Sequence, residues 1–206
     1  LSLNNVASTG GALHYFSKVN YYTLDEGLEK SEWFGAGAAA LGFVGQVERE
    51  EFFSALSGQV GGVTLGRVTT DPDTGEQRRQ HRPGIDLTFS APKSVSLLAE
   101  VGGLSDVREA HEAAVRQALA YVEAELAATR AMVEGQVQPI KTGNLVVAMF
   151  RHNTSRELDP QTHTHAVIMN ATRRPDGEWR SLTNESLYRE QRAIGAVYTS
   201  ALARNL

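Results

Sequence analysis

The chain contains no cysteine. Disulfides, a thiolate metal site and a cysteine nucleophile are therefore excluded, which fits a reducing cytoplasm. No apolar run approaches the ~20 residues that cross a bilayer. The first residues hold no basic segment leading into an apolar one, so neither a membrane span nor a signal peptide is expected. An excess of positive charge is missing too. Twenty Lys and Arg against 24 Asp and Glu leave a net charge of -4, which taken alone weighs mildly against nucleic acid as a partner. The distribution matters more than the sum. Acidic residues lie in segments patterned as helices, such as Glu48–Glu51 and Glu109–Glu125. Basic residues gather at Arg78, Arg79 and Arg82, at Arg151 and Arg156, and at Arg173-Arg174. There is also no His-Glu-x-x-His helix, so the adjacent general base of a metalloprotease is absent.

What remains is 206 residues with 41% hydrophobic content, enough for one large domain, or one and a half, with a full core. Residues near Val47–Leu56 read as a short helix. Gly58–Arg82 is polar and Gly-rich and reads as a mobile excursion between strands. Ile85–Phe89 alternates as a strand does, and Pro92 stands in the first turn of a short helix opened by Ser90–Lys93. Ser105 is expected to cap the longest helix. Its apolar positions Val107, Ala110, Ala114, Leu119, Val122 and Leu126 extend the pattern to about Val133. Lys141–His152 and His163–Arg173 read as paired strands joined by a turn-rich link that contains Asp159-Pro160. Asp176-Gly177 marks a turn, Glu178–Ser181 a short return strand, and Asn184 the start of a last helix. That helix pattern runs to Leu206 without a cap, so residues 1–206 are expected to be one piece of a longer protein. Strands and helices mix without strict alternation. The expected class is α+β, an antiparallel sheet with helices stacked on one face.

Three of the six histidines fall between residues 152 and 165. His163 and His165 are two apart in a run rich in β-branched residues, so both rings project from the same face of a strand. Folding back at the hairpin carries His152 beside them. Three neutral imidazoles on one wall make a metal site with open positions for a substrate oxygen. Such a site can act as a Lewis acid on a phosphoryl oxygen or generate hydroxide. An all-histidine set should favour Mn²⁺, Ni²⁺ or Zn²⁺ over Mg²⁺ in vitro, because Mg²⁺ prefers oxygen.

Near the N-terminus lies a knot of aromatics, Tyr15, Phe16, Tyr21 and Tyr22. A tyrosine can be a covalent nucleophile if a base or a cation assists its phenol. Asp86 lies mid-strand, facing with Gly84 and Thr88 and away from Ile85 and Leu87. A carboxylate there needs a partner. It could fix the tautomer of a ligand histidine or accept a tyrosine proton. The turn at Ser90–Lys93 could aim Lys93 and helix amides at a phosphate. From the residues alone, several readings stay open. They are tyrosine-based DNA cleavage, a metal-dependent hydrolase of a small molecule, a DNA-binding module with structural histidines, and a three-histidine oxygenase.

Asp86-Leu-Thr-Phe-Ser-Ala-Pro-Lys-Ser-Val-Ser96, Thr142-Gly-Asn-Leu-Val146 and His152…Thr154-Ser-Arg156…Pro160-Gln-Thr-His163-Thr-His165-Ala-Val resemble one family. It is that of the conjugative relaxases fused to helicases, the MobF class typified by TrwC and TraI. The N-terminal tyrosines and Trp33-Phe-Gly35…Leu41-Gly are similar as well. The resemblance implies a palm-like, HUH-type sheet with helices packed on it and a mobile region that covers the DNA. It implies site-specific nicking and rejoining of one DNA strand at a plasmid origin of transfer, through a covalent 5′-phosphotyrosine. His152, His163 and His165 would hold a divalent metal, taken to be Mg²⁺ in cells. Tyr15 would be the first nucleophile, Tyr21 or Tyr22 the second, and Asp86 the carboxylate that activates Tyr15 or orients a histidine. Arg78, Arg79, Arg82, Lys93, Arg151 and Arg156 are the candidate contacts to DNA. The implied partners are single-stranded DNA at the nic site with its adjacent hairpin, a C-terminal helicase region, relaxosome accessory proteins and a coupling protein. The implied location is the bacterial cytoplasm, with passage into the recipient cell alongside the DNA. The chain departs from the family in one respect: relatives carry two adjacent tyrosine pairs, and here Phe16 stands in the first.

Overall fold

The structure, a computed structural model, describes residues 1–10, 31–155 and 157–206. In chain order, strands β1 (Ser2–Asn5) and β2 (Ser31–Phe34) precede helices α1 (Ala36–Ala40) and α2 (Arg49–Leu56). Short strands β3 (Gln59–Val60), β4 (Val63–Thr64), β5 (Arg67–Thr70) and β6 (Gln77–Gln80) lead into β7 (Gly84–Ser90). Helices α3 (Lys93–Glu100) and α4 (Ser105–Tyr121) follow, and a π-helical turn, Val122–Leu126, ends the second. Then come β8 (Ala128–Val133), β9 (Gln136–Lys141), β10 (Val147–Thr154) and β11 (Pro160–Met169). β12 (Thr172–Arg173), β13 (Trp179–Arg180), α5 (Glu185–Arg189) and α6 (Gln191–Asn205) complete the chain.

The centre is a five-stranded sheet in the order β1-β7-β11-β10-β2. Its pairings are all antiparallel, as the sequence predicts for an α+β fold. Alternation along the strands sorts residues into two faces. On one face Ile85, Leu87, Phe89, Val147, Met149, Ala166 and Ile168 pack with the stripe Ala110, Ala114, Val115, Ala118 and Leu119 of α4. Ile194, Tyr198, Ala201 and Leu202 of α6 close the same layer. Alanines along α4 let the helix lie close to the strands, and each large aliphatic buried here contributes about 1.5–3 kcal/mol. On the other face Ala148, Phe150, Val167 and Met169 meet Trp33 and the buried residues Phe52, Ala55 and Leu56 of α2. Phe52 and Phe150 sit edge to face, centroids 5.2 Å apart. Helices therefore cover both faces, not one, because α2 brings its own apolar stripe to the second.

Local expectations needed several corrections. Ser105 does not cap the longest helix: it is the first residue of α4, and Leu104 stands at the N-cap without a side-chain hydrogen bond. The longest helix does not reach Val133: residues Ala128–Val133 form β8, which pairs with β9. Glu134 and Gly135 between them both take positive φ, 50° and 78°. That is the mirror-image turn that joins twisted antiparallel strands, and it overrides the helical spacing upstream. Lys141 consequently belongs to β9, and the strand carrying His152 begins only at Val147. Within Gly58–Arg82, the polar excursion is ordered into two hairpins, β3–β4 and β5–β6. The C-terminal helical stretch is interrupted at Glu190, which separates α5 from α6.

Candidate functional site

The hairpin β10–β11 sets the site. His152 stands directly opposite His163 in its register, and a bulge separates His152 from the next pair, Thr154 and Pro160. On the other side of β11, His165 stands opposite Thr88, and Val167 opposite Asp86, on β7. All three histidines and Asp86 thus lie at one end of the face that carries Phe150 and Val167. The ring centroids are 5.0 Å apart for His152 and His163, and 5.2 Å apart for each of the other two pairs.

Hydrogen bonds fix the donor nitrogens. His165 Nδ1 lies 2.7 Å from Asp86 Oδ2 and 3.2 Å from the Thr88 hydroxyl. The carboxylate accepts, so Nδ1 carries the proton and Nε2 keeps its lone pair. His163 Nδ1 lies 3.0 Å from the Gln161 carbonyl, which also can only accept, so its Nε2 is likewise left as an acceptor. Burial, and secondarily the field of His165, hold His163 below the ordinary imidazole range against opposing pulls from the Gln161 carbonyl and Asp86. A neutral ring is the form that ligates a metal. The Thr88 hydroxyl donates to Asp86 Oδ2 at 3.2 Å. Asp86 Oδ1 is buried and without a hydrogen-bond partner among the described residues.

This donor set fits a divalent ion. A metal–nitrogen bond of about 2.1 Å puts each ring centre about 3.2 Å from the ion, and tetrahedral angles then separate the centres by about 5.2 Å. The observed ring spacing matches that figure. Nevertheless, among the described residues no group of three or more His, Asp or Glu side chains is arranged as a formed cation site. The ring spacing and the tautomers of His163 and His165 suit an ion; the side chains do not already grip one.

Beside the histidines lies a cleft of about 550 Å³, walled by Asp86, Thr88, His163 and His165 and by Ser2 and Asn4 of the edge strand. Ser2 and Asn4 pair with Thr88 and Asp86 in the β1–β7 register. Sequence reasoning missed both, since only the pairing of β1 brings them in. Thr88 was within reach, because it shares a face with Asp86 by simple alternation.

The expected DNA contacts are scattered. Lys93 donates to the Pro160 carbonyl at 3.1 Å, close to the start of the histidine strand. Arg78 pairs with Glu76 on the exposed β5–β6 ribbon, and the Arg79 guanidinium donates to the carbonyls of Thr64 and Gly66. Arg82 lines a different and larger cleft of about 900 Å³, with Arg67, Arg130 and Arg180, three cations that sequence reasoning did not single out. Arg151 is placed differently. It alternates with His152, so it projects into the helix layer, where it is held by Glu32 at 2.5 Å and Glu112 at 3.4 Å. Arg116 pairs with the same Glu32. There Arg151 lines a cleft of about 220 Å³ with His152 and His163. Arg156, Tyr15, Tyr21 and Tyr22 lie outside the described residues.

Behind the histidines, on the helix face, His111 is 2% exposed, and burial, aided by His163, pushes its pKa down to about 4. Burial also pushes the Tyr198 phenol above its ordinary value.

Comparison with known proteins bears on the family and the fold. The family model for the TrwC relaxase matches residues 9–206. The multifunctional conjugation protein TraI of Escherichia coli K12 is 43% identical over 213 aligned residues, which cover 98% of this chain but 12% of TraI. A TraI from Escherichia coli is 42% identical, and again the chain spans only 12% of its length. Among solved structures, the metal-bound complex of conjugative relaxase TrwC with oriT DNA superposes with a TM-score of 0.81 at 42% identity, covering 99% of this chain and 69% of that one. TrwC complexed with a 27-mer DNA comprising the recognition hairpin and the cleavage site gives 0.80 at 41%, covering 99% and 68%. By family model, identity and HUH-type fold together, this chain belongs to the TrwC relaxase family.

Proposed function

We propose that the chain nicks and rejoins one DNA strand at an origin of transfer, and so initiates conjugative transfer. The observation that carries this reading is the convergence of three imidazoles beside a buried carboxylate, one of whose oxygens has no hydrogen-bond partner among the described residues. The relatives' complexes with oriT DNA support the choice of substrate.

His152, His163 and His165 would hold a divalent ion, which the metal-bound TrwC complex supports. When bound, it withdraws charge from the scissile phosphate and makes the phosphorus open to attack. The chain's own residues do the rest. Tyr15 is the proposed nucleophile: its phenolate oxygen forms the bond to phosphorus while the bond to the 3′ oxygen breaks, and the 5′ end stays on the protein. Asp86 uses Oδ2 to hold His165 in the right tautomer. Its Oδ1, without a partner among the described residues, would take the phenol proton. Neutral histidine ligands leave the ion its full charge, which suits an anionic phosphodiester. Reversal, with a strand end as acceptor, rejoins the DNA, and Tyr21 or Tyr22 would serve a second cleavage. The proposal extends to a helicase region elsewhere in the protein and to relaxosome and coupling partners.

The test is incubation with a library of single-stranded oligonucleotides, followed by mass spectrometry for a tyrosyl-DNA peptide. A metal-dependent adduct on Tyr15, lost in Tyr15→Phe with binding retained, supports the reading. An adduct at full yield in Tyr15→Phe refutes the nucleophile, and no adduct under any metal refutes the reaction.

A further inference from the structure

Strand β11 is gripped from behind. Thr164 lies between His163 and His165 and points the opposite way, into the helix layer. Its Oγ1 is 3.0 Å from Nε2 of His111 on α4, whose Nδ1 is 2.8 Å from the Tyr198 hydroxyl on α6. Thr164, His111 and Tyr198 are 2%, 2% and 3% exposed, so the whole chain of hydrogen bonds is dry. Two residues earlier the grip repeats. The Thr162 N–H donates to Ser96 Oγ at 3.1 Å, and the Thr162 hydroxyl donates to Glu100 Oε1 at 2.8 Å, both from α3.

The surroundings make this costly to explain by packing alone. The Tyr198 ring lies tilted against Phe89 with centroids 5.4 Å apart, and alanines of α4 share the same core. Apolar side chains would fill that space with no polar atom to satisfy, whereas a buried hydroxyl, imidazole and phenol must each keep a partner. What the network has that apolar packing lacks is direction. It meets β11 at the one residue flanked by both histidines.

A lever argument shows why direction matters. The Nε2 of a histidine lies about 5 Å from its Cα, so a strand roll of about 10° displaces it by about 0.9 Å, past the ~0.5 Å tolerance of a working site. Anchoring Thr164 to two helices at once resists that roll.

Resting on the function proposed above, we propose that the Thr164–His111–Tyr198 chain is a positioning device that fixes the orientation of His163 and His165 toward a shared divalent ion. None of the three touches the ion or the DNA; they act through the strand.

The test uses Co²⁺ as probe, titrated into this chain well below its melting temperature and read by its visible absorption. Thr164→Val should bind Co²⁺ about tenfold more weakly, with a displaced absorption band, a lower kcat and an unchanged KM for the oligonucleotide. Thr164→Ser, which restores the hydroxyl, should restore all three. If Thr164→Val does not fold, Tyr198→Phe removes a single oxygen far from the histidines and should still weaken Co²⁺ by about threefold, a fraction of the direct loss. Native Co²⁺ affinity and spectrum in whichever variant folds would overturn the inference, whatever happens to melting temperature, and leave the function standing. Failure of the unaltered chain to bind Co²⁺ would instead overturn the site itself, and this inference with it.

Discussion

Replacing Asp86 with Asn isolates a single charge. The amide keeps the size of the side chain and an oxygen that can accept the His165 Nδ1 proton, so the ring should hold its orientation. What disappears is one negative charge behind the ligand. Asp86 Oδ2 is 2.7 Å from Nδ1; a further ~2.2 Å of ring and ~2.1 Å of metal–nitrogen bond, slightly bent at each nitrogen, put the carboxylate oxygen about 6.8 Å from the ion. A unit charge at that distance from a doubly charged ion contributes about 5 kcal/mol at an effective dielectric of about 20, and about 1 kcal/mol in bulk water. The cleft beside the histidines is open on one side, so the true value falls toward the lower end, about 2 kcal/mol. That corresponds to metal binding weakened about 30-fold, within the 10–100-fold range for lost outer partners of a ligand histidine. Asp86→Ala should be worse, because it leaves the buried Nδ1–H only the longer contact to the Thr88 hydroxyl, at a further ~1 kcal/mol. Isothermal titration with Ni²⁺ or Mn²⁺ gives the number, and circular dichroism checks that the fold is intact. Affinity within threefold of the unaltered chain for Asp86→Asn would mean that the carboxylate does not face a bound ion through His165.

His111 predicts a pH dependence of stability. Its folded-state pKa is depressed to about 4 by burial, so between there and ~6.5 the unfolded chain holds the extra proton and stability rises with pH. Urea denaturation should show about 3 kcal/mol lost as pH falls through that window, and His111→Gln should flatten the slope; an unchanged slope refutes the assignment. Phe150 is 1% exposed, pairs with His165 in register and meets Phe52 edge to face. Phe150→Ala should cost about 3–5 kcal/mol, and a loss below 1 kcal/mol in chemical denaturation would show that this layer is not tightly packed. Neutralising Arg78 and Arg79 together should weaken DNA binding and reduce the slope of log affinity against log salt by about one per lost phosphate contact. Equal slopes would remove the ribbon from the interface.

The centre of the molecule was legible because period-two patterns survive folding. His163 and His165 share a face by spacing alone, and Asp86 and Thr88 do the same. The same parity rule places Arg151 opposite to His152, so its turn toward the helix layer was already present in the sequence. What lay beyond the sequence were features decided by tertiary contact. The Glu134-Gly135 turn converts a stretch with helical spacing into β8 because the partner strand β9 follows immediately. Ser2 and Asn4 reach the cleft only through pairing across more than eighty residues. His111 looked like any polar residue on an amphipathic helix, and nothing local says that it reaches Thr164 on one side and Tyr198 on the other.

The two-faced register of β11 has a consequence for how such a protein can change. Because histidines and anchors alternate residue by residue from Thr162 to His165, the strand behaves like a reading frame. A one-residue slip of this strand would turn both imidazoles into the oily interior and set two hydroxyls facing the cleft. Length variation in this lineage should therefore collect in the loop before Pro160, while the ten residues that follow tolerate substitution but no frameshift of their own.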